Sequence, residues 1–366
     1  MYRKIEEYLK NYFSSKEEKI LVIDGARQVG KTYIIEKIGK DYYRNFISIN
    51  LDADKKGDRV FEDVKTCDDF YIQLSALYGN KLNNRDDTLV FIDEISIYPQ
   101  FFSLLKQLRI DNKYRYICSG SLLGIELLKT GLTPMGSIIR KEMYPMDFEE
   151  FLIANNFGSD AINYVRQSYE NKTSLNESLH NTLLNLFLTY LYVGGLPDAV
   201  KSYVEEKNVF KIKEIQKDIY DFYSDDAAKH DLENRLKIKR IYEMMISSID
   251  NKVKRIKYAD INDNKKDCFS NYAEEFDYLI NSGIALACNA VSEPKFPLAQ
   301  SSVKNLIKLY MNDVGLLSYL LYRNNINAIL KSKTGVNLGA IYETVVSQEL
   351  KAHGHDLFYY DRRKVG

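Results

Sequence analysis

Three short segments hold the residue types that phosphate chemistry needs. The first, Gly25-Ala26-Arg27-Gln28-Val29-Gly30-Lys31-Thr32, fits the pattern G-x-x-x-x-G-K-[ST]. In such a loop the glycines let backbone N–H groups close around phosphate oxygens, and the following helix adds partial positive charge. All eight residues are therefore expected around the phosphates. Lys31 can reach the outer phosphates, and the Thr32 hydroxyl can ligate Mg²⁺. The second segment is Leu89-Val90-Phe91-Ile92-Asp93-Glu94. Its apolar run suits a strand in a sheet core. Asp93 would emerge at the carboxyl end to hold hydrated Mg²⁺, and Glu94 would polarise the attacking water as general base. The third, Ser119-Gly120-Ser121, is the polar end of another strand. Either serine can donate a hydrogen bond to a terminal phosphate or to water, and spacing does not choose between them. Lys31, Glu94, Ser119 and Ser121 are thus catalytic candidates, Thr32 and Asp93 metal ligands, and ATP with Mg²⁺ the expected ligands. No arginine identifies itself as a finger for transition-state charge; Arg109 and Arg140 are the candidates.

The flanking elements fit these roles. Lys19 to Asp24 reads as a buried strand before the loop, and Tyr33 to Ile38 has helical spacing after it. Strands and helices then alternate to about Met143, with strands predicted over Asn45 to Leu51, Thr88 to Ile95, Tyr114 to Ser121 and Ile138 to Met143. Phe101 to Ile110 reads as a helix. The pattern predicts an α/β fold, a parallel sheet with helices on both faces. From Phe148 to about Arg240 the signals are helical, with a break at Val193-Gly194-Gly195-Leu196-Pro197. Helical stripes at Ile238 to Ile249 and Tyr272 to Ile280 precede two strand candidates, Ile284 to Val291 and Ile307 to Met311. Helices followed by a two-stranded ribbon suggest a winged helix. A helix over Gly339 to Ala352 and a strand over Leu357 to Tyr360 follow.

Bulk composition is restrained. The 51 Lys and Arg balance 51 Asp and Glu, so no overall field favours nucleic acid or membrane. Lys237, Lys239, Arg240, Lys252, Lys254, Arg255 and Lys257 are locally basic. They read first as a solvated helix face, with nucleic-acid contact as the competing reading. Asp225, Asp226 and His230 read as a solvated face or cap rather than a metal site. Cys67, Cys118, Cys268 and Cys288 form no C-x-x-C pair, as expected of packed thiols in a reducing, cytoplasmic setting. The charged stretch Met1 to Leu9 is an amphipathic helix rather than a signal peptide. Leu183 to Val193 is too short to span a bilayer, so no membrane partner is expected.

Taken together, G-A-R-Q-V-G-K-T, F-I-D-E-I, S-G-S-L-L-G and Y-P-M-D-F-E-E-F-L resemble the signatures of bacterial and archaeal AAA-superfamily ATP-binding proteins with a C-terminal domain of unknown function. The resemblance continues through V-G-G-L-P-D-A-V (Val193 to Val200), K-L-Y-M-N-D-V-G-L-L (Lys308 to Leu317) and I-Y-E-T-V-V-S-Q-E-L (Ile341 to Leu350). It implies an AAA-type P-loop ATPase domain over 1–155, a helical lid or linker over 156–235, and a winged-helix-like region over 236–320. The start of a domain similar to restriction-endonuclease folds is implied over 321–366. It also implies self-association, since AAA-type proteins often place an arginine finger across a subunit interface. Three positions depart from the family pattern: Ala26 for Pro, Ser96 for Gln, and Ser137 for a basic residue that could sense phosphate. Glu343 matches the helix glutamate of a nuclease-like site, but its partner carboxylates would follow Gly366. The last domain is therefore expected to be truncated and without nuclease activity. The expected function is ATP binding with slow Mg²⁺-dependent hydrolysis that serves as a conformational switch. The alternative is a nucleotide-controlled nucleic-acid-binding protein with little ATPase activity. The Asp93-Glu94 pair and the lack of an arginine-rich lid argue against a small-molecule phosphotransferase.

Overall fold

The computed structural model describes residues 1–121, 136–229, 235–249, 255–262, 266, 268–322 and 338–360. The chain divides into two compact units: Arg3–Met143, and Tyr144–Gly366 with Met1–Tyr2.

In the first unit, β1 (Ile20–Asp24), β2 (Asn45–Asn50), β3 (Thr88–Asp93), β4 (Arg115–Gly120) and β5 (Ile138–Glu142) form one sheet. The order is β2-β3-β4-β1-β5, and every neighbouring pair is parallel. β1, β3 and β4 are buried at every position, which explains their near-continuous apolar sequence. Among the described residues, the helices that accompany the sheet are α1 (Ile5–Ser14), α2 (Lys31–Tyr42), α3 (Leu51–Lys56), α4 (Cys67–Tyr78) and α5 (Gln100–Asp111). Val22, Ile49, Phe70, Val90, Ile92 and Phe101 share one hydrophobic cluster that fixes this layer. α4 starts where Thr66 and Asp69 form a reciprocal capping box.

Register positions the chemistry. Asp24 lies level with Gly120, Ile92 with Cys118, and Asn50 with Asp93. The carboxyl ends of four strands therefore finish along one edge. β4 separates the loop-bearing β1 from the carboxylate-bearing β3. Two predicted strands end early for local reasons. β2 stops at Asn50, whose side-chain oxygen accepts from Ala53 N at 2.8 Å and caps α3. β3 stops at Asp93, because Glu94 adopts the left-handed region at φ 54°.

The second unit contains α6 (Phe148–Ala154), α7 (Ser159–Glu170), α8 (Glu177–Val193), α9 (Pro197–Glu206), α10 (Val209–Lys229), α11 (Arg235–Ile249), α12 (Ala273–Asn281), α13 (Val314–Tyr322) and α14 (Gly339–Ala352). Its sheet has the order β7 (Ser302–Met311), β6 (Ala285–Val291), β8 (Leu357–Tyr360). β6 and β7 are antiparallel, whereas β8 joins β6 in parallel. The expected two-stranded ribbon is thus a three-stranded mixed sheet, and the strand expected to belong to a separate final domain completes it. Strand partners are chosen by open edges and packing, which local sequence does not record. Among the described residues no helix is long and apolar enough to cross a membrane.

Four of the sequence signatures meet in one buried network of this unit. Gly195 N donates to Asp313 Oδ2 at 2.6 Å, and Leu316 N donates to Asp313 Oδ1 at 3.1 Å. Val314 N donates to Gln348 Oε1 at 2.9 Å, while Gln348 Nε2 donates to the Tyr190 hydroxyl at 2.8 Å. Tyr190 in turn donates to Met146 O at 2.6 Å. A Cβ on Gly195 would sit 2.0 Å from Met146 O, so only glycine permits this approach. Burial pushes the Asp313 carboxyl up to about 6, against the lowering effect of the backbone N–H groups it accepts from. This network gives a physical reason why the compact boundary falls at Met143 rather than at 155. The Tyr144 to Leu152 signature is tied to Tyr190, Gly195 and Gln348.

Candidate nucleotide site

The loop after β1 is held from several sides. Gly25 N donates to Asp24 Oδ1 at 2.8 Å. Gly25 has φ 143°, and a Cβ there would lie 2.1 Å from Met143 O, so conformation and space both demand glycine. Arg3 Nη1 donates to Val29 O at 2.8 Å and anchors the loop's far side. Gly30 is the N-cap of α2, and Lys31 and Thr32 occupy that helix's first turn. Lys31 Nζ donates to Gly25 O and Ala26 O, each at 2.8 Å, so the ammonium folds over the loop. Burial lowers the Lys31 pKa, opposed by Glu94, Asp24 and Asp93.

Asp93 accepts from three side chains and from Glu94 N. Thr32 Oγ1 lies 2.9 Å from Asp93 Oδ2, and Asn50 Nδ2 lies 3.1 Å from the same oxygen. The Ser119 hydroxyl donates to Asp93 Oδ1. Glu94 is held differently. Its left-handed backbone turns its carboxylate towards Ser121, whose hydroxyl donates to Glu94 Oε2 at 3.4 Å. Arg27 Nε donates to the same hydroxyl at 3.2 Å. Burial raises the Glu94 pKa, with Lys31 and Arg27 acting in the opposite direction. A non-glycine residue at positive φ costs of order 1–3 kcal/mol and persists where the surroundings over-determine it.

The predicted residues therefore come together, and the two serines separate. Ser119 touches the carboxylate expected to hold metal, whereas Ser121 touches the carboxylate expected to activate water. The finger candidates are both engaged in ion pairs. Arg140 pairs with Asp24, its Nε 2.9 Å from Asp24 Oδ2. Arg109 comes within 4.0 Å of Glu18 and lines a cleft with Lys19 and Arg115, at the opposite end of the strands. Ser137 is buried at that opposite end too, its carbonyl accepting from Ile20 N. Arg109 and Ser137 lie away from the loop, whereas Arg140 pairs with Asp24, the residue that leads into it.

Other candidates take structural places. Lys237 pairs with Glu275 at 3.5 Å, and Arg240 donates to Ile261 O at 2.9 Å. Lys252, Lys254 and His230 lie outside the described residues, as do the Asp226 side chain and the Leu122 to Gly124 part of the third signature. Glu343 Oε2 accepts from the Tyr310 hydroxyl at 3.0 Å.

Sequence reasoning missed three contributions. Asn50 is the polar last residue of a strand neighbouring β3, and that position was the available signal. The Asp24–Arg140 pair and the contact of Arg27 with Ser121 depend on strand order and loop path, for which local sequence carries no signal. The assembled site has a loop of amides, a buried ammonium, a hydroxyl beside one carboxylate, and a second carboxylate of raised basicity.

Parts of the chain are similar to known proteins. Residues 17–152 match the family model described as an AAA domain, a span that includes the loop, both carboxylates and both serines. The first unit has the AAA-type P-loop fold. Residues 184–327 match a model described as a domain of unknown function. An uncharacterized protein of Methanocaldococcus jannaschii is 25% identical over 357 residues, covering 94% of this chain and 70% of the relative. The Walker-type ATPase of Pyrococcus abyssi shares the fold at TM-score 0.50 and 14% identity, covering 87% of this chain and 95% of that one.

Proposed function

We propose that this chain binds ATP with Mg²⁺ in the first unit, hydrolyses it slowly, and uses the nucleotide state as a conformational switch. The observation that carries this reading is the convergence of Lys31, Thr32, Asp93 and Glu94 on one sheet edge from two separate segments. A buried ammonium held by two loop carbonyls fits a phosphate ligand. Thr32 and Asp93, 2.9 Å apart, fit a hydrated divalent ion as an oxygen pair. Mg²⁺ bound there supplies charge neutralisation for the phosphates.

The chain's own residues do the rest. The loop amides and Lys31 bind and orient the phosphates. Glu94, made more basic by burial, accepts the proton of the attacking water, and Ser121 and Arg27 fix where its carboxylate points. Ser119 and Asn50 hold Asp93 in one orientation. Slow turnover is the expectation because Arg109 lies away from the loop and Arg140 is engaged by Asp24. A finger supplied by a second copy would then accelerate hydrolysis.

The test is ATP binding and turnover for wild type, Lys31→Ala and Glu94→Gln. Wild type should bind and hydrolyse, Lys31→Ala should do neither, and Glu94→Gln should bind without hydrolysing. A wild type that neither binds nor hydrolyses ATP ends the proposal.

A further inference from the structure

Away from the nucleotide site, the second unit brings an imidazole and two carboxylates together at the surface end of its buried network. Asp147, Glu349 and His353 each present one ligand atom, and all three atoms lie within 4.8 Å of one another. His353 Nε2 is 3.5 Å from Asp147 Oδ2. Two ligands bound at about 2.1 Å to one tetrahedral ion stand roughly 3.4 Å apart, so this pair has the spacing of shared coordination. Glu349 and His353 are four residues apart on α14 and hence on one face.

The surroundings prepare each ligand. His353 Nδ1 lies 2.7 Å from Glu349 O, an acceptor, so Nδ1 carries a proton. That leaves Nε2 to face the carboxylates, with a lone pair when the ring is neutral. Asp147 Oδ1 is committed to capping α6 by accepting from Glu150 N at 2.8 Å, which leaves Oδ2 towards His353. Glu349 Oε1 accepts from Phe148 N at 2.9 Å, fixing that carboxylate as well. A second feature favours a cation independently of the side chains. His353 is the C-cap of α14, where the helix's final carbonyls concentrate partial negative charge. His353 is 47% exposed in its side chain, so an ion has a path in from solvent.

We infer that Asp147, Glu349 and His353 form a binding site for a divalent transition-metal ion, with Zn²⁺ the best match to one imidazole and two carboxylates. Three protein ligands leave a fourth position to water. The ion would join residues far apart in sequence, the start of α6 and the end of α14, and so staple the second unit. Without an ion, the same geometry is a histidine–carboxylate contact at 3.5 Å.

The experiment uses the full chain, treated with chelator and then titrated with Zn²⁺ by calorimetry and with Co²⁺ by visible absorption. One equivalent should bind per chain, the Co²⁺ spectrum should be that of a low-coordinate N/O site, and the melting temperature should rise on binding. His353→Ala should weaken binding on the order of 100-fold, at or beyond what losing an outer-shell partner costs. Asp147→Asn keeps the cap acceptor and should also weaken binding. Both variants should keep the wild-type far-ultraviolet circular dichroism spectrum and a cooperative unfolding transition, which shows that they fold. Binding unchanged in His353→Ala, or lost instead in Cys268→Ser at the exposed thiol, would overturn the assignment. So would wild type that binds neither Zn²⁺ nor Co²⁺.

Discussion

Thr32 and Asp93, brought 2.9 Å apart from opposite ends of the first unit's sequence core, form the closest link between the phosphate loop and the carboxylate strand. The link exists because β4 inserts between β1 and β3, which sets the separation of the two edges. Replacing Thr32 by Val should keep the helix and remove the hydroxyl. The Mg²⁺ concentration needed for half-maximal turnover should then rise by at least several-fold, since a hydrogen bond or ligand to a charged partner is worth about 1.5–3 kcal/mol. Magnesium titrations of ATP turnover measure this; an unchanged midpoint would remove Thr32 from the metal site.

The two serines should behave differently. Ser119→Ala frees one side of Asp93 and should shift the Mg²⁺ dependence. Ser121→Ala loosens Glu94 and should lower kcat with the Mg²⁺ midpoint kept. Asn50→Ala should resemble Ser119→Ala, because both residues donate to Asp93. Steady-state kinetics across Mg²⁺ concentrations separates the two patterns, and identical behaviour of both serine variants would contradict the assignment.

The proposed role of Glu94 as general base predicts how hydrolysis depends on pH. Burial raises its pKa, so the base is protonated at a pH where an exposed glutamate would be ionised. The acid limb of kcat should therefore lie above the ordinary glutamate value of about 4.3, with rate rising as pH rises through it. Glu94→Gln should cost roughly 10²–10⁴ in rate and flatten that limb. A wild-type limb at the ordinary value would show that burial does not tune this carboxylate.

Asp313 makes a prediction for stability. Its folded pKa is raised to about 6 from an ordinary 3.8. The folded state thus holds the proton more tightly than the unfolded chain. The stability this contributes is fully present below about pH 4 and is lost as pH rises through about 6. The change amounts to about 3 kcal/mol. Comparing the unfolding of wild type and Asp313→Asn from pH 4 to pH 7 isolates it. Wild type should lose stability relative to the variant as pH rises, and the opposite sign would overturn the account.

Gly25→Ala tests the loop's close approach to β5. The methyl group would meet Met143 O, and the backbone angle disfavours any L side chain. The expected cost is roughly 2–3 kcal/mol or more, seen as a lower melting temperature and weakened ATP binding. Gly79→Ala, which meets nothing within 4 Å, is the neutral control.

Much of the first unit was legible in the linear chain. The spacing of Gly25, Gly30, Lys31 and Thr32 constrains a backbone shape directly. The apolar run ending in Asp93 and Glu94 identifies a buried strand, because only a strand covered on both faces can be apolar throughout. Periodicity likewise marked most helices, to within a few residues at their ends. What the sequence could not determine depends on which strands lie side by side. Asn50 reaches Asp93 only because β2 pairs with β3 in one particular register, and Ser119 and Ser121 take separate roles only because β4 lies beside β3. β8 completes the sheet of β6 and β7, and Asp313 meets Gly195, because packing joins segments that share no local signal. Local spacing determined which chemistry the chain carries. Tertiary pairing, set by burial and by the demand for backbone hydrogen bonds, decided which residues act on one another.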